Sequence, residues 1–227
     1  DLTLIDTPGL FGYKEKFNAD THEQEKYKDI TRKYVSEAHL VLYVMNSTNP
    51  LKESHANELN WLFRELNLLP RTVFVLSRFD EVADVADEED YQQNFSVKKQ
   101  NVLSRLKDLI GLKDDEARTL SIVAVSANPF DAGVEHWLSE PERFRQLSHI
   151  PLLKQATTKS IEANGGLEKM ALETSKSIIQ DILLREIPVA VEKDMMLADE
   201  LEKLTRAEQR ASADIAVAQK KVSRAQA

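Results

Sequence analysis

Short apolar runs alternate with stretches of helical periodicity over the first part of the chain. Strand-like runs cover residues 2–5, 39–45, 72–76 and 119–125. Apolar residues in most of the intervening stretches recur every three or four positions, which predicts amphipathic helices. The three later runs are nearly continuous apolar segments, as expected for strands covered by helices on both faces. The pattern therefore predicts an α/β domain with a parallel sheet and right-handed crossovers.

The helices between these strands have recognisable start and stop signals. Residues 21–24 read as a capping box ahead of a helix over 22–37. A second helix is predicted over 56–66. After a long acidic loop at 77–94, a third helix is expected to stop at Gly111.

From about residue 135 the pattern becomes helical only. One helix is predicted over 152–163, ending at the Asn-Gly-Gly of 164–166. Pro188 is expected to kink or break a later helix near 186–187. Beyond it runs a heptad stripe formed by Leu197, Leu201, Leu204, Ala211, Ile215, Ala218 and Val222. Such a stripe indicates a bundle seam, which we favour, or a dimeric coiled coil. We therefore predict a partial α/β domain over 1–164 and a helical stalk or bundle segment over 165–227, truncated at its C-terminal end.

Composition limits the classes of function. The 227 residues carry a formal net charge of −8 and no cysteine, which argues against nucleic-acid binding and for a reducing, cytoplasmic location. The longest apolar run, 40–45, is far shorter than the roughly 20 residues of a membrane span. The chain begins within a strand pattern and stops within a helical one, so we expect it to be a piece of a longer protein.

Three predicted strand ends carry residues suited to binding a ligand. They are Asp-Thr-Pro-Gly at 6–9, Ser-Arg-Phe-Asp at 77–80 and Ser-Ala at 126–127. In open α/β sheets, ligands bind beyond the carboxyl ends of the strands. Asp6 is suited to hold Mg²⁺ directly or through water, and the Gly9 amide to approach a terminal phosphate.

This order of motifs resembles that of the P-loop GTPases. By that resemblance the first motif binds Mg²⁺ and the γ-phosphate, the second recognises guanine, and the third contacts the base through its backbone. The Asp80 carboxylate can accept paired hydrogen bonds from guanine N1–H and its exocyclic amine, for which adenine has no matching donors. Arg78 stands where Lys is usual and can lie along the base or ribose, and the Ala127 amide can donate to the guanine carbonyl. The predicted nucleotide-binding residues are Asp6, Thr7, Gly9, Ser77, Arg78, Asp80, Ser126 and Ala127.

Within that class the chain resembles the dynamin superfamily, in particular the bacterial, LeoA-like large GTPases. The resemblance rests on residues 6–10, 41–45 and 73–80 and on the helices that follow. It implies GTP hydrolysis with Mg²⁺, self-association through the GTPase domains, and assembly or membrane remodelling, with peripheral membrane contact made outside this chain. Leu10 stands where Ras-like proteins have the water-orienting Gln. The resemblance instead implies a switch at 10–20 and a loop at 46–50 near a dimer interface.

Two departures from the sequence pattern of these GTPases leave other interpretations of the chain open. No Gly-x-x-x-x-Gly-Lys-Ser/Thr motif occurs in the chain, so the catalytic group is unassigned and this piece alone should hydrolyse GTP negligibly. Ser77 and Arg78 also replace the usual Asn/Thr and Lys of the guanine motif. The alternative function is a nucleotide-independent scaffold on a coiled-coil arm. A ribosome-associated GTPase is disfavoured, because its RNA-binding domain should be basic.

Overall fold

The structure is a computed structural model that describes residues 3–7 and 31–225. Residues 31–36 are helical, and short 3₁₀ turns occur at Glu53–His55, Leu69–Arg71, Phe79–Glu81 and Pro129–Asp131. The strands are β1 (Val41–Asn46), β2 (Thr72–Ser77) and β3 (Ser121–Ala124). The helices are α1 (Ala56–Asn60), α2 (Glu88–Ile110), α3 (Asp114–Thr119), α4 (Val134–Ser139), α5 (Pro141–Ser148), α6 (Ile150–Ala163), α7 (Gly166–Asp181) and α8 (Ile187–Ala225).

The described strands form one parallel sheet in the order β1-β2-β3. Val41 lies opposite Thr72 and Val73 opposite Ser121, so the carboxyl ends of all three strands meet at the same edge. The predicted fold class is confirmed: a partial parallel sheet of the GTPase type is followed by helices alone.

Helices cover both faces of β2, which explains why its sequence is apolar without alternation. On one face Phe74 packs in an aromatic cluster, with its ring centroid 5.4 Å from that of Phe63. On the other face Val73 and Val75 form a second cluster, against which Leu153 of α6 packs. Strand β2 is thus the buried centre of the described sheet.

The first predicted strand does not form over the part of it that the structure describes. Residues 3–7 form no strand, and Leu4 is 79% exposed. An apolar run becomes a strand only where a neighbouring strand accepts its backbone hydrogen bonds, and among the described residues β1 pairs only with β2. The fourth predicted strand is also shorter than expected, because Thr119 ends α3 and β3 starts at Ser121.

The acidic loop is shorter than its composition suggested. The carboxylate of Asp87 accepts hydrogen bonds from the amides of Glu89 and Asp90 and caps α2, which begins at Glu88. Acidic residues in a first helical turn are stabilised by the free amides and the helix dipole. The predicted loop over 77–94 therefore ends at Asp87, while the predicted stop at Gly111 is confirmed by its left-handed φ of 61°.

A buried arginine, Arg71, holds helix α7 against the part of the chain that carries the strands. The Arg71 guanidinium donates to the Ala38 carbonyl at 3.0 Å, to Thr174 Oγ1 at 2.7 Å and to Ser177 Oγ at 2.6 Å. Burial lowers the pKa of Arg71, with Glu173 opposing the shift. Contacts divide the chain between Gln180 and Asp181, later than the predicted boundary after residue 164, so α7 belongs with the strands.

The second unit, Asp181–Ala227, is built on α8. A π-helical turn, Ile182–Glu186, precedes it, close to the predicted break. Pro188 has no amide hydrogen to give and its ring crowds the preceding turn, and a π turn is one way for a helix to absorb such a defect. The leucines of the predicted heptad stripe are exposed. None of the helices in the described part of the chain combines the length and the hydropathy of a membrane span.

Candidate functional site

The carboxyl ends of the three strands are joined by hydrogen bonds into a strand-end rim, which comprises residues 46–47, 77–80 and 126–130. The Ser47 hydroxyl donates to the Ser77 carbonyl at 2.6 Å, and Ser77 Oγ donates to the Met45 carbonyl at 3.0 Å. Ser47 is fully buried. The ends of β1 and β2 are therefore braced, and the Ser77 hydroxyl serves this brace.

The end of β3 is joined to the loop after β2. The Phe79 amide donates to the Val125 carbonyl at 3.1 Å, and the Asp80 amide donates to Ser126 Oγ at 3.0 Å. The Ser126 amide in turn donates to the Ser148 carbonyl at 3.0 Å. Ser126 is fully buried, and its hydroxyl positions Asp80 through this hydrogen bond. Ala127 beside it is exposed.

Buried aromatic rings support this junction. His149, at a left-handed φ of 54°, stacks on Tyr91 with the ring centroids 3.7 Å apart. Tyr91 Oη donates to the Ala124 carbonyl at 2.9 Å. Burial lowers the pKa of His149, with Glu88 opposing the shift, so the stacked imidazole is neutral at neutral pH. The β3 end of the rim is thus held by packed rings as well as by hydrogen bonds.

The Asp80 side chain is half-buried and has one oxygen committed to a backbone partner. Its Oδ2 accepts a hydrogen bond from the Phe130 amide at 3.0 Å. Within the described ranges, no group donates a hydrogen bond to its Oδ1. A carboxylate has about four acceptor positions, so Asp80 retains the capacity to accept two further donors from a ligand.

Arg78 lies beside this carboxylate in an unusual backbone conformation. Its φ of 54° and ψ of 47° are left-handed, which costs a non-glycine residue about 1–2 kcal/mol. The side chain is 71% exposed and pairs with Glu81 at 2.5 Å. Such backbone outliers concentrate at functional sites, and here the outlier directs a cation to the rim surface.

Of the first predicted motif, the structure describes only Asp6 and Thr7. Asp6 is exposed and Thr7 half-buried, and no hydrogen bond or ion pair joins either residue to the described rim. Gly9, Leu10, the predicted switch at 10–20 and the first part of the helix predicted over 22–37 lie outside the described residues. The structure therefore brings together Ser77, Arg78, Asp80, Ser126 and Ala127.

The sequence did not indicate two residues that contribute to the rim, Ser47 and Phe130. Ser47 lies in a turn-rich stretch, where the sequence does not reveal its burial or its bond to Ser77. Phe130 follows Pro129 in what reads as a loop, and its link to Asp80 spans 50 positions. Neither has a local sequence signal. In the part of the chain that the structure describes, no group of three His, Asp or Glu side chains could hold a metal ion.

Comparisons with known proteins show the family of the chain. The model of the Dynamin family matches residues 1–79, and the model of the Dynamin-like helical domain matches residues 112–227. Among solved structures, the chain is similar to "LeoA bacterial dynamin GTPase from ETEC", with 35% identity and a TM-score of 0.58. The match covers 73% of this chain and 29% of that one. No curated protein matches the chain.

Proposed function

The chain belongs to the dynamin family, and from this premise we propose that the full-length protein binds and hydrolyses GTP, with the strand-end rim as its guanine site. One observation carries the proposal: Asp80 is held at the rim by its amide and one carboxylate oxygen, with acceptor positions left for a ligand. A carboxylate so fixed needs no reorganisation to receive two parallel donors, and such pre-organisation favours binding.

Each rim residue then has a distinct task. Asp80 accepts hydrogen bonds from guanine N1–H and the exocyclic amine, and these charge-assisted bonds are stronger than neutral ones. The exposed Ala127 amide donates to the guanine carbonyl, and the Arg78 stem lies along the base or ribose. Ser77 and Ser126 act indirectly, since their hydroxyls hold the backbone on which Arg78 and Asp80 stand.

The phosphate side of the site involves the first motif. Asp6 would supply a carboxylate to Mg²⁺, directly or through water, which suits an ion that keeps several waters and takes phosphate oxygens as further ligands. Thr7 is assigned to the nucleotide. Bound Mg²⁺ would neutralise charge on the β- and γ-phosphates. The Gly9 amide is assigned to the γ-phosphate. The match covers only 29% of the LeoA chain, and we assign the phosphate-binding loop to residues outside this chain.

Assembly is the proposed outcome of hydrolysis. Self-association through the GTPase domains would orient the attacking water, since Leu10 cannot do so. The exposed heptad residues of α8, among them Leu197, Leu201 and Leu204, would be covered by further helices of the same protein in a bundle. We place the protein in the cytoplasm, with peripheral contact to membranes through regions outside this chain.

Turnover by the full-length protein is the test. We expect GTP to be hydrolysed in the presence of Mg²⁺, with a preference over ATP of at least about a hundredfold because adenine leaves the Asp80 carboxylate unpaired. Binding of neither GTP nor GDP would instead favour the nucleotide-independent scaffold. Equal turnover of GTP and ATP would remove the guanine assignment.

Membrane contact is tested separately: we expect the full-length protein to co-sediment with liposomes and the 227-residue chain alone to stay in the supernatant.

A further inference from the structure

We propose that the Phe130 ring is a stacking platform for the purine base that Asp80 holds. The inference rests on the proposed guanine site and adds to it the surface that contacts the face of the base. Its starting point is a direct link: the Phe130 amide donates to Asp80 Oδ2 at 3.0 Å. The Phe130 side chain therefore starts beside the carboxylate that binds the edge of the base.

The Phe130 ring is unusually exposed for an aromatic side chain. The whole Phe130 residue is 53% exposed, whereas Pro129, its neighbour in the same turn, is buried. Aromatic side chains contribute most when they are buried, and an exposed one at the rim of a polar site is a surface on which a flat ligand can stack.

The backbone that carries this ring adopts an unfavourable conformation. Phe130 has a φ of 56° and a ψ of 19°, and Asp131 has a φ of 54°, so two consecutive non-glycine residues are left-handed. Left-handed conformations are unfavourable for residues that carry a Cβ. Such backbone strain persists only where surrounding contacts impose it, and it is concentrated at ligand sites.

Side-chain hydrogen bonds fix the turn that carries the ring. Asn128 Nδ2 donates to Asp131 Oδ1 at 2.8 Å, and the Gly133 amide donates to Asn128 Oδ1 at 2.8 Å. With the Phe130–Asp80 bond, these contacts pin the turn at three points. The ring is presented on a preformed loop, which lowers the entropy cost of binding a base.

The composition of the rim fits a base held on its edge and its face. Asp80 and the Ala127 amide address the edge, while the Phe130 ring and the exposed Arg78 side chain offer flat or extended surfaces for the face. Aromatic stacking does not depend on exocyclic groups, because every base has a π face. Phe130 should therefore set affinity for purine nucleotides, and Asp80 should set the choice among them.

The test measures GDP and inosine diphosphate binding to the full-length protein by calorimetry. We expect Phe130→Ala to weaken both nucleotides by the same factor, roughly tenfold. Phe130→Gly should do the same, because glycine accepts the left-handed backbone and removes only the ring. Phe130→Tyr should restore wild-type affinity. Val134→Ala is the matched control, since Val134 is also exposed and apolar, and it should bind as the wild type.

The possible results separate the two proposals. If the wild-type protein binds neither nucleotide, the proposed function fails and the platform fails with it. If the wild type binds GDP and Phe130→Ala binds it equally well, the platform alone is refuted. A Phe130→Ala variant that loses self-association but keeps nucleotide affinity would also refute it, and would make Phe130 a protein-contact residue.

Discussion

The Asp80→Asn variant of the full-length protein should lose about a hundredfold or more in affinity for GDP and GTP and gain affinity for xanthosine nucleotides. In the proposed site the carboxylate would accept two donors from guanine, whereas an amide presents one acceptor and an opposing NH₂ group. Each lost charge-assisted hydrogen bond costs about 1.5–3 kcal/mol. Xanthine has a carbonyl in place of the guanine amine, so the new amide hydrogen finds an acceptor there.

The measurement is competition among GDP, XDP and ADP for binding to the wild type and the variant. Asp108→Asn is a suitable control, because Asp108 is an exposed carboxylate on α2 and lies outside the rim. The Asp80 amide bond to Ser126 does not use the side chain, so the fold should survive the substitution. Unchanged preference for GDP over XDP in Asp80→Asn would exclude Asp80 from the base site.

The Arg71→Met variant should release α7 from the strand unit. Arg71 is 3% exposed and donates hydrogen bonds to Thr174 and Ser177 on α7 and to the Ala38 carbonyl. Methionine fills much of the same space but donates nothing. Losing several buried hydrogen bonds of a charged donor should cost about 3 kcal/mol. We therefore expect amide exchange in α7 to become roughly a hundredfold faster.

Hydrogen exchange of the full-length protein checks this, with Arg118→Met as a control because Arg118 is exposed on α3. Arg71→Lys should restore only part of the protection, since an ammonium cannot reproduce the fork that reaches Thr174 and Ser177 together. Exchange in α7 that is the same in wild type and Arg71→Met would show that the arginine does not hold this helix.

The sequence predicted the elements whose signals are local. Strand β2 was evident because five successive residues from Thr72 suit a strand buried on both faces. The stop at Gly111 and the irregularity before Pro188 followed from backbone chemistry alone. The confirmed assignment to the dynamin family rested on short local motifs together with the helical pattern that follows them.

What the sequence did not reveal depends on distant partners. The run at 2–5 has strand composition, but composition does not supply a neighbouring strand. Helix α7 was assigned to the stalk because nothing local announces its contact with Arg71, which lies 103 positions before Thr174. The helices α4 and α5 are short and were absorbed into a region described only as helical. The roles of Ser47 and Phe130 likewise arise from pairings between separate parts of the chain.

Hydrogen exchange with bound nucleotide shows whether the strand-end rim binds the guanine base. The full-length protein is compared without nucleotide, with GDP and with ADP, each with Mg²⁺. We expect GDP to slow exchange at the amides of Asp80, Ala127 and Phe130 and ADP to leave it unchanged. Tight GDP binding without any change in exchange at these rim amides would exclude the rim as the base site.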